Sequence, residues 1–510
     1  MPALAEGPIR ALGARLRELR FGPAAIHEAF GLEDQLMRVR GDKAVQVRRL
    51  APGEPLSTVI TLFLLGEPVT TDEAAAAFFP VALDAVEGLG LAETRDGEVR
   101  ALVQLFPFEG LILASDRFDA LEAPGASAEY VGNVNPTSIT LGRLTTRRPV
   151  ETALDVGCGC GVQALLASRH ADRVLAVDLN PRAVEFTRFN ALLNDARNVE
   201  CETGSFFEPA AGRRFDLVLA NPPFVVSPDA RFTFRDGGLS GDAVCELVVG
   251  EAPAYLEEGG FAHVLCSWAS RAGEDWRAAP TRWIEGHGCD AWVLHHRSED
   301  PLAYAAAWNQ LVRTATPEAY PAALDRWLDY YAELGIQSLE YGAVTLRRRD
   351  AGPNWLRLDE LPESMTSPAG DHVLRVFDAQ DYLLSLQEPE AALADAFTMA
   401  DDQRLDQTLR VRDGELTIER TLLRLEQGLP FEGALDGYAL HVLAGCDGGR
   451  PLGELLDAVA AGAGLDRDSF VASSLAVVRR LLELGFLVPP ARPAGGPHGA
   501  ALRSRPARES

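Results

Sequence analysis

The residues Asn221-Pro222-Pro223-Phe224 follow the apolar stretch FDLVLA and carry the most specific chemistry in the chain. Two consecutive prolines fix the backbone and remove two N–H donors, which leaves the local carbonyl groups available as acceptors. Asn221 supplies a side-chain oxygen that can accept a hydrogen bond, and Phe224 supplies a flat apolar wall. These features suit the methylation of a planar NH2 group, whose delocalised nitrogen lone pair must be held and aimed before it reacts.

The NH2 group would donate hydrogen bonds to the Asn221 side chain and to the Pro222 carbonyl. These bonds would direct its nitrogen at the methyl group of a bound methyl donor. Positioning and electrostatics would then drive the displacement without a strong base, because the nitrogen becomes acidic once it is alkylated. The alternative is a proline-rich loop that merely ends a strand. The motif lies 66 residues after Asp155, at the end of the predicted strand FDLVLA. This position favours a role in methylation over a loop that only ends a strand.

A glycine-rich turn lies upstream, in ALDVGCGCGVQALLAS. The apolar residues before it predict a strand, and a predicted helix begins directly after Gly157, Gly159 and Gly161. Glycine is needed where the backbone turns sharply and a ligand approaches closely without meeting a Cβ atom. Asp178 ends the next predicted strand, 23 residues after Asp155, where a carboxylate can accept hydrogen bonds from both ribose hydroxyls of an adenosine.

Three other interpretations of this turn are weaker. A dinucleotide-binding fold requires GxGxxG, and a P-loop requires Gly-Lys followed by Ser or Thr. A zinc site at Cys158 and Cys160 lacks partner clusters elsewhere in the sequence. Small side chains packed in a tight turn explain the two cysteines better, and we expect no metal.

The turn from Asp155 to Gly161, together with Asp178, resembles the cofactor half of the class I S-adenosylmethionine-dependent methyltransferases. The resemblance implies S-adenosyl-L-methionine as cofactor, with the turn around its methionine part, Asp178 on the ribose and Leu179 near the adenine. Ser205 stands where this superfamily usually carries an acidic residue that binds the adenine amino group. Ser205 could bond to adenine more weakly, or the backbone at Phe206 could replace that contact.

The NPPF motif beside this turn resembles the small-domain N-methyltransferases, which include glutamine methyltransferases of release factors and ribosomal proteins and guanine- or adenine-methylating RNA enzymes. The resemblance covers roughly residues 127–350. Pro136-Thr137 occupies the place where these families close the cofactor pocket with a loop. The resemblance to these families implies that Asn221, Pro222 and Phe224 act in catalysis. It also implies that Asn221 borders the cofactor.

Arg235 and Asp236 follow the catalytic loop and precede two glycines, at the place of a substrate lid. The glycines permit a hinge, and Arg235 could hold a carboxylate or a phosphate. A surface pair of Arg and Asp before a helix explains the same residues equally well.

Periodicity divides the chain into four parts. Residues 1–126 show helical patterns and then a hairpin with Asp96-Gly97 at its turn, which is the winged-helix order. Residues 127–365 alternate short apolar strands with helical segments, which predicts an α/β fold: a Rossmann-like class I methyltransferase sheet with helices on both faces. Residues 366–490 resume a mainly helical, winged-helix-like pattern, and residues 491–510 form a Pro-, Gly- and Ala-rich tail that we expect to be disordered.

Composition narrows the function. The 510 residues carry a net charge of −26, and residues 151–260 hold nine arginines and 17 acidic residues, which disfavours a phosphate backbone as partner. We therefore expect a protein side chain such as glutamine as acceptor. An RNA base and a biosynthetic small molecule stay open as alternatives.

A cofactor-sensing, nucleic-acid-binding regulator is the non-enzyme alternative. Its expected recognition helix, DEAAAAFFPVALDAVEG, has acids and no basic residue, which does not suit a phosphate contact. Seven cysteines form no disulfide framework, and the sequence has neither a membrane span nor a signal peptide, so we expect a cytoplasmic protein.

Overall fold

The computed structural model describes residues 5–31, 43–122, 127–229, 240–350 and 352–490. These residues divide into two compact units. The first runs to Gly142 and resumes from Val150 to Glu360, and the second comprises Arg143–Pro149 and the chain from Leu361 onward.

A central sheet of eight strands organises the first unit. In chain order its strands are β1 Val150–Val156, β2 Ala171–Asp178, β3 Val199–Thr203, β4 Phe215–Ala220, β5 Leu256–Arg271, β6 Cys289–Glu299, β7 Ile336–Arg348 and β8 Leu356–Glu360. Their spatial order is β3-β2-β1-β4-β5-β7-β6-β8. Neighbours are parallel, except that β7 is antiparallel to both β5 and β6.

The inner strands are buried on both faces, as their unbroken apolar runs require. Helices cover them: Pro136–Leu144, Val162–Ala167, Pro181–Leu193, Ala243–Glu251 and Ala278–Ile284, with 3₁₀ turns at Glu208–Ala210 and Ala252–Tyr255. The order β3-β2-β1-β4-β5 is that of a doubly wound, Rossmann-like sheet. The predicted α/β fold class is therefore confirmed.

The sequence analysis did not predict β3 and β8. Most side chains of β3 are exposed or half-buried, and none of those in β8 is fully buried. Both strands lie at the edges of the sheet, where a strand lacks the apolar run by which the inner strands are found.

The N-terminal part of this unit contains short helices and two small sheets. Helices span Glu6–Glu18, Pro23–Phe30, Lys43–Arg49, Pro55–Val59, Thr71–Phe78, Leu83–Gly88 and Phe118–Glu122, with a π-helical turn at Ile60–Leu65. Strands Val69–Thr70, Ala92–Arg95 and Glu98–Ala101 form one sheet, and Gln104–Phe108 pairs with Leu111–Ser115. The predicted hairpin turn at Asp96-Gly97 is confirmed, and both of its residues have positive φ. The winged-helix assignment stays a prediction.

This N-terminal part shares a hydrophobic core with the helix Pro181–Leu193 of the central sheet. Leu16, Phe63 and Leu113 belong to the same buried cluster as Phe186 and Phe189. The domain boundary at residue 126 stays a prediction, and the structure shows continuous packing across it.

Asn190 forms hydrogen bonds between the helix Pro181–Leu193 and the N-terminal part of the unit. Its Oδ1 accepts the Ala114 N–H at 2.7 Å, and its Nδ2 donates to the carbonyls of Ala114 and Cys160 at 2.9 and 2.8 Å. One turn later, Asn194 pairs in the same way with the N–H and C=O of Ile112. The two side-chain amides form hydrogen bonds with backbone groups on the unpaired edge of the Leu111–Ser115 strand. These backbone groups are therefore satisfied without a further strand.

An insert of three helices, Pro301–Trp308, Gln310–Ala315 and Tyr320–Glu333, connects β6 to β7, with a 3₁₀ turn at Pro317–Ala319. The sequence pattern predicts an extra helical insertion from about Ser298 to Gly335, and the structure confirms it.

The second unit is a mixed α/β region. Its helices span Gly370–Ser385, Gly437–Ala444, Leu452–Ala463 and Arg467–Glu483, with a 3₁₀ turn at Pro389–Ala394. Strands Gln403–Arg412, Glu415–Leu425 and Glu432–Leu435 form one antiparallel sheet, and Thr398–Met399 pairs with Leu487–Val488. The long hairpin was not predicted, and the winged-helix assignment stays a prediction. The predicted tail, 491–510, lies outside the described residues.

No helix in the described ranges combines the length and the apolar character that crossing a bilayer requires.

Replacement of Asn190 by leucine tests the junction between the two parts of the first unit. The change leaves the Ala114 N–H, the Ala114 carbonyl and the Cys160 carbonyl buried without their partner, so we expect a loss of roughly 3–6 kcal/mol in the free energy of unfolding. Urea denaturation measures this loss. Asn354→Leu, at an exposed amide, is the matched control and should change stability by less than ~0.5 kcal/mol. Equal stability of the two variants would contradict the role of Asn190.

Candidate active site

The predicted site residues follow three adjacent strands at their carboxyl ends. Gly157 follows β1, Asp178 ends β2 and Asn221 follows β4. The strand order reverses between β1 and β4, and ligands of doubly wound sheets bind at that point because the flanking loops diverge to leave a crevice. The register pairs Val156 with Ala220, so that the two loops start side by side.

The glycine turn has the backbone that its sequence predicts. Gly157, Gly159 and Gly161 have φ values of +76°, +55° and +82°, which side chains rarely tolerate. A Cβ atom on Gly161 would lie 2.8 Å from Thr187 Cγ2, so this glycine is required by packing. A Cβ atom on Gly157 or Gly159 would meet nothing within 4 Å. The turn therefore has an open side at those two residues, as a cradle for a ligand requires.

Asp178 is bound to this turn. Its Oδ2 accepts the Gly159 N–H at 2.9 Å, and its Oδ1 accepts the Asn180 N–H at 2.9 Å. Burial raises the pKa of Asp178 above its usual value, and the two backbone hydrogen bonds oppose that change. The carboxylate is therefore oriented by the backbone before any ligand binds.

Asp155 is fully buried at the end of β1, where its Oδ2 accepts the Ala164 N–H at 2.9 Å. Burial, with a smaller contribution from the nearby charge of Asp178, raises the pKa of Asp155 to about 7, although the hydrogen bond from the Ala164 N–H opposes this change. Two acidic groups in such surroundings favour a cationic ligand, because a positive charge would stabilise both carboxylates.

The cysteines of the turn are buried thiols. Burial raises the pKa of Cys158 well above its usual value and that of Cys160 to about 12, so both stay protonated near neutral pH. Across the described ranges, no group of three or more His, Cys, Asp or Glu residues is arranged to hold a metal ion.

Leu179 and the residues after β3 border the turn on the Asp178 side. Leu179 exposes 59% of its surface, which leaves an apolar side chain accessible next to Asp178 in the chain. Phe206 has a φ of +44°, a conformation that bulky side chains rarely adopt. The Ser205 N–H donates to the Glu208 carboxylate at 3.4 Å, so an acidic group lies here, three residues after the position at which the resembling superfamily usually carries one.

Asn221 is held by a chain of hydrogen bonds that begins at Asn135. Asn135 Oδ1 accepts the Ser138 N–H at 2.8 Å, as expected of a residue that precedes a helix. The Thr137 hydroxyl donates to the same oxygen at 2.7 Å. Because the Thr137 hydroxyl donates its hydrogen to Asn135, Thr137 Oγ1 can accept a hydrogen bond from Asn221 Nδ2, at 3.2 Å.

This chain fixes the amide orientation of Asn221. Since Nδ2 faces Thr137, Oδ1 is directed away from it, and no described residue donates a hydrogen bond to that oxygen. Pro222 is buried beside it, and its carbonyl accepts no hydrogen bond from the residues that the structure places. Phe224 is half-buried and packs against a hydrophobic cluster that includes side chains of the central strands. The arrangement offers two acceptors beside an apolar side chain, and the catalytic roles of Asn221, Pro222 and Phe224 stay predictions.

From the sequence, Thr137 is predicted only as part of a loop near the cofactor. Neither Asn135 nor the contact between Thr137 and Asn221 is evident from the sequence pattern. The Asn-Pro-Thr-Ser sequence was a usable signal, because Asn before Pro is a common helix start and fixes the loop beside it. The predicted substrate residues Arg235 and Asp236 lie outside the described residues.

Three family models match the chain. Residues 135–266 match the methyltransferase small domain, and residues 18–102 and 374–489 match two domains of unknown function, DUF7059 and DUF7782. The first match includes Asn135, the glycine turn and the NPPF loop.

Curated relatives resemble the same region. A putative protein N5-glutamine methyltransferase of Methanocaldococcus jannaschii is 34% identical over 122 residues, which is 22% of this chain and 60% of the relative. A release factor glutamine methyltransferase of Geobacter sulfurreducens is 34% identical over 140 residues, 24% of this chain and 49% of the relative. The chain thus spans about half the length of these relatives.

Among solved structures, Trm5b from Pyrococcus abyssi aligns with 50% of this chain and 62% of its own, at 15% identity and a TM-score of 0.30. Class I methyltransferases use S-adenosylmethionine as their methyl donor. Over residues 135–266, this chain resembles the methyltransferase small domain, and that region lies in a sheet with a doubly wound, Rossmann-like strand order.

Proposed function

We propose that this protein transfers a methyl group from S-adenosylmethionine to the amide nitrogen of a glutamine side chain in another protein. The orientation of Asn221 carries the proposal, because Thr137 turns the amide so that Oδ1 is offered as an acceptor. A planar NH2 group has two N–H donors, and it requires two neighbouring acceptors such as Asn221 Oδ1 and the Pro222 carbonyl.

The residues of the turn fit the cofactor. The turn from Asp155 to Gly161 would hold its methionine part, since Gly157 and Gly159 leave open space. Asp178 would bind the ribose hydroxyls, and Leu179 would cover the adenine. When bound, the cofactor supplies an electrophilic methyl group on a positively charged sulfur, and the buried carboxylates suit that charge.

On the other side of the adenine, the residues after β3 would complete the pocket. The backbone at Phe206 and the hydroxyl of Ser205 remain the proposed contacts. The Glu208 carboxylate, which reaches back to the Ser205 N–H, is a third candidate for the adenine amino group.

Asn221 and Pro222 would act on the acceptor. One N–H of the glutamine amide would donate to Asn221 Oδ1 and the other to the Pro222 carbonyl, which turns the nitrogen lone pair toward the methyl group. Phe224 would pack against the flat amide. The alkylated nitrogen is acidic and loses its proton to water, so the site needs no strong base.

A protein acceptor suits the charge better than RNA does. Residues 151–260 hold nine arginines and 17 acidic residues, and such a surface repels a phosphate backbone. The curated relatives that match this region are named for glutamine methylation. The proposal is tested by treating cell extract with isotopically labelled S-adenosylmethionine and locating the label by mass spectrometry. Label in RNA or in metabolites, but not on glutamine, would contradict it.

Asp178→Ala tests the ribose contact. Removal of a charge-assisted hydrogen bond costs ~1.5–3 kcal/mol, so the affinity for S-adenosylmethionine should fall about 10- to 150-fold in calorimetry. The control is Asp172→Ala, at an exposed aspartate near the start of the same strand, which should leave the affinity unchanged. Unaltered affinity in a folded Asp178→Ala protein would remove Asp178 from the cofactor site.

Asn221→Ala tests the acceptor contact. The methyl-transfer rate should fall roughly 100-fold or more in single-turnover experiments, while cofactor affinity stays nearly intact. Asn221→Asp should be milder, because a carboxylate still accepts hydrogen bonds. Equal rates for the wild type and Asn221→Ala would exclude the N-methylation mechanism.

Thr137→Val tests the orientation of Asn221 separately. Valine keeps the shape of threonine but cannot accept from Asn221 Nδ2, so the amide loses its fixed direction. We expect the transfer rate to fall about 10-fold, the effect of one lost positioning hydrogen bond. Thr137→Ser retains the hydroxyl and should restore the rate. Loss of activity in the serine variant as well would show that the methyl group of Thr137, rather than its hydroxyl, is needed.

A further inference from the structure

The helical insert between β6 and β7 contacts the chain just after the NPPF loop. Strand β6 is parallel to β4 through the sheet, so the insert begins at the same edge as Asn221. Among its buried side chains, Tyr304 and Tyr331 pack in a cluster that includes Val225 and Val226. The insert therefore lies against the segment that continues from Phe224.

Both backbone groups of Val226 bind to tyrosines of the insert. The Val226 N–H donates to Tyr304 Oη at 3.1 Å, and Tyr331 Oη donates to the Val226 carbonyl at 2.9 Å. All three residues are buried. Two phenols from different helices therefore replace the partners that a strand would otherwise give to this residue.

The NPPF loop is consequently fixed at both ends. Ala220 pairs with Val156 of β1 and Val264 of β5, which holds the start of the loop in the sheet. Val226 holds its far end, so only residues 221–225 lie between the two fixed points. Two of these five residues are prolines, which leaves the loop few other conformations.

Further contacts of the insert extend beyond Val226. Asp229 accepts hydrogen bonds from Arg326 Nη2 at 2.6 Å and from Trp327 Nε1 at 3.1 Å. Tyr330 Oη accepts the Gly241 N–H at 2.8 Å. One helix, Tyr320–Glu333, thus binds the chain at several points after the loop.

We propose that Tyr304 and Tyr331 are positioning residues for methyl transfer: through Val226 they set the position of the Asn221 and Pro222 acceptors. The inference rests on the proposed function. A displacement of about 1 Å at a reacting group can lower a rate about 100-fold, so an anchor five residues from Asn221 is close enough to matter. In a purely structural role, the same hydroxyls would affect stability alone.

The experiment compares Tyr304→Phe, Tyr331→Phe and their double variant with Tyr341→Phe. Tyr341 belongs to the same aromatic cluster, with its ring 5.6 Å from that of Tyr304, but its hydroxyl donates to Glu299. It is therefore the control for loss of a phenol hydroxyl from the same cluster, at a half-buried position that does not contact Val226. Each protein is measured for kcat and KM on a glutamine-containing acceptor protein, for cofactor affinity and for melting temperature.

We expect kcat to fall about 10-fold in Tyr304→Phe and in Tyr331→Phe, with KM and cofactor affinity within twofold of the wild type. The double variant should lose little more than either single variant, because both hydroxyls act on Val226. Tyr341→Phe should retain the kcat of the wild type. A kcat that is unchanged, or that falls equally in Tyr341→Phe, would overturn the proposal.

Hydrogen exchange of the cofactor-bound protein provides a readout that needs no acceptor. The amides of residues 224–229 should exchange faster in Tyr304→Phe and Tyr331→Phe than in Tyr341→Phe. Unchanged exchange would overturn the positioning role even if the wild type had no activity on proteins. A wild type without activity on glutamine, but with the expected exchange, would instead refute only the proposed function.

Discussion

The register between β1 and β4 is the constraint on which the site depends. Val156 lies opposite Ala220, so the glycine turn and the NPPF loop leave the sheet beside each other. A slip by one residue would exchange the two faces of β4 and bury the wrong side chains. Because helices cover both strands, burial of the apolar strand side chains fixes the register between β1 and β4. The residues of the two loops therefore do not have to fix it.

Burial of acidic groups is the second physical feature of this site. Asp155 and Asp178 lie at the ends of adjacent strands, and burial raises the pKa of both. A fold gains no stability from such a pair, since each ionised group disfavours the other. A bound cation would compensate both, so the protein without cofactor should be less stable than its complex. The unfavourable pair is thus linked to the binding of a positively charged methyl donor.

The sequence predicted the parts of the site that are local in the chain. The glycine turn requires positive φ at three residues, and Asp178 and the NPPF loop follow apolar strands, so each can be found from a short window. Thr137 was noted but its contact was missed, because its bond to Asn221 joins residues that are 84 positions apart. Tyr304 and Tyr331 were not identified for the same reason. A tyrosine in a helix looks like any core residue until the loop that it binds is seen.

The shared core of the first unit was also beyond a sequence argument. Hydrophobic periodicity shows that a helix has a buried face, but it does not show what covers that face. Here Phe186 and Phe189 pack against the N-terminal part of the chain, and Asn190 on the same helix binds the strand edge at Ala114. A separate domain at residues 1–126 would have to expose that strand edge and part of that core to water.

The described contacts place four distant segments around one amide. Asn135 and Thr137 orient the side chain of Asn221, β1 and β5 hold the backbone before it, and the insert holds the backbone after it. A single hydrogen bond to a solvated loop would restrict an amide only weakly, because water competes for each of its groups. Burial of the tyrosines and of the sheet removes that competition on the backbone side. The half-buried Asn221 then keeps Oδ1 directed away from Thr137, and no described residue donates a hydrogen bond to it. In the proposed function, the NH2 group of the acceptor would supply that donor.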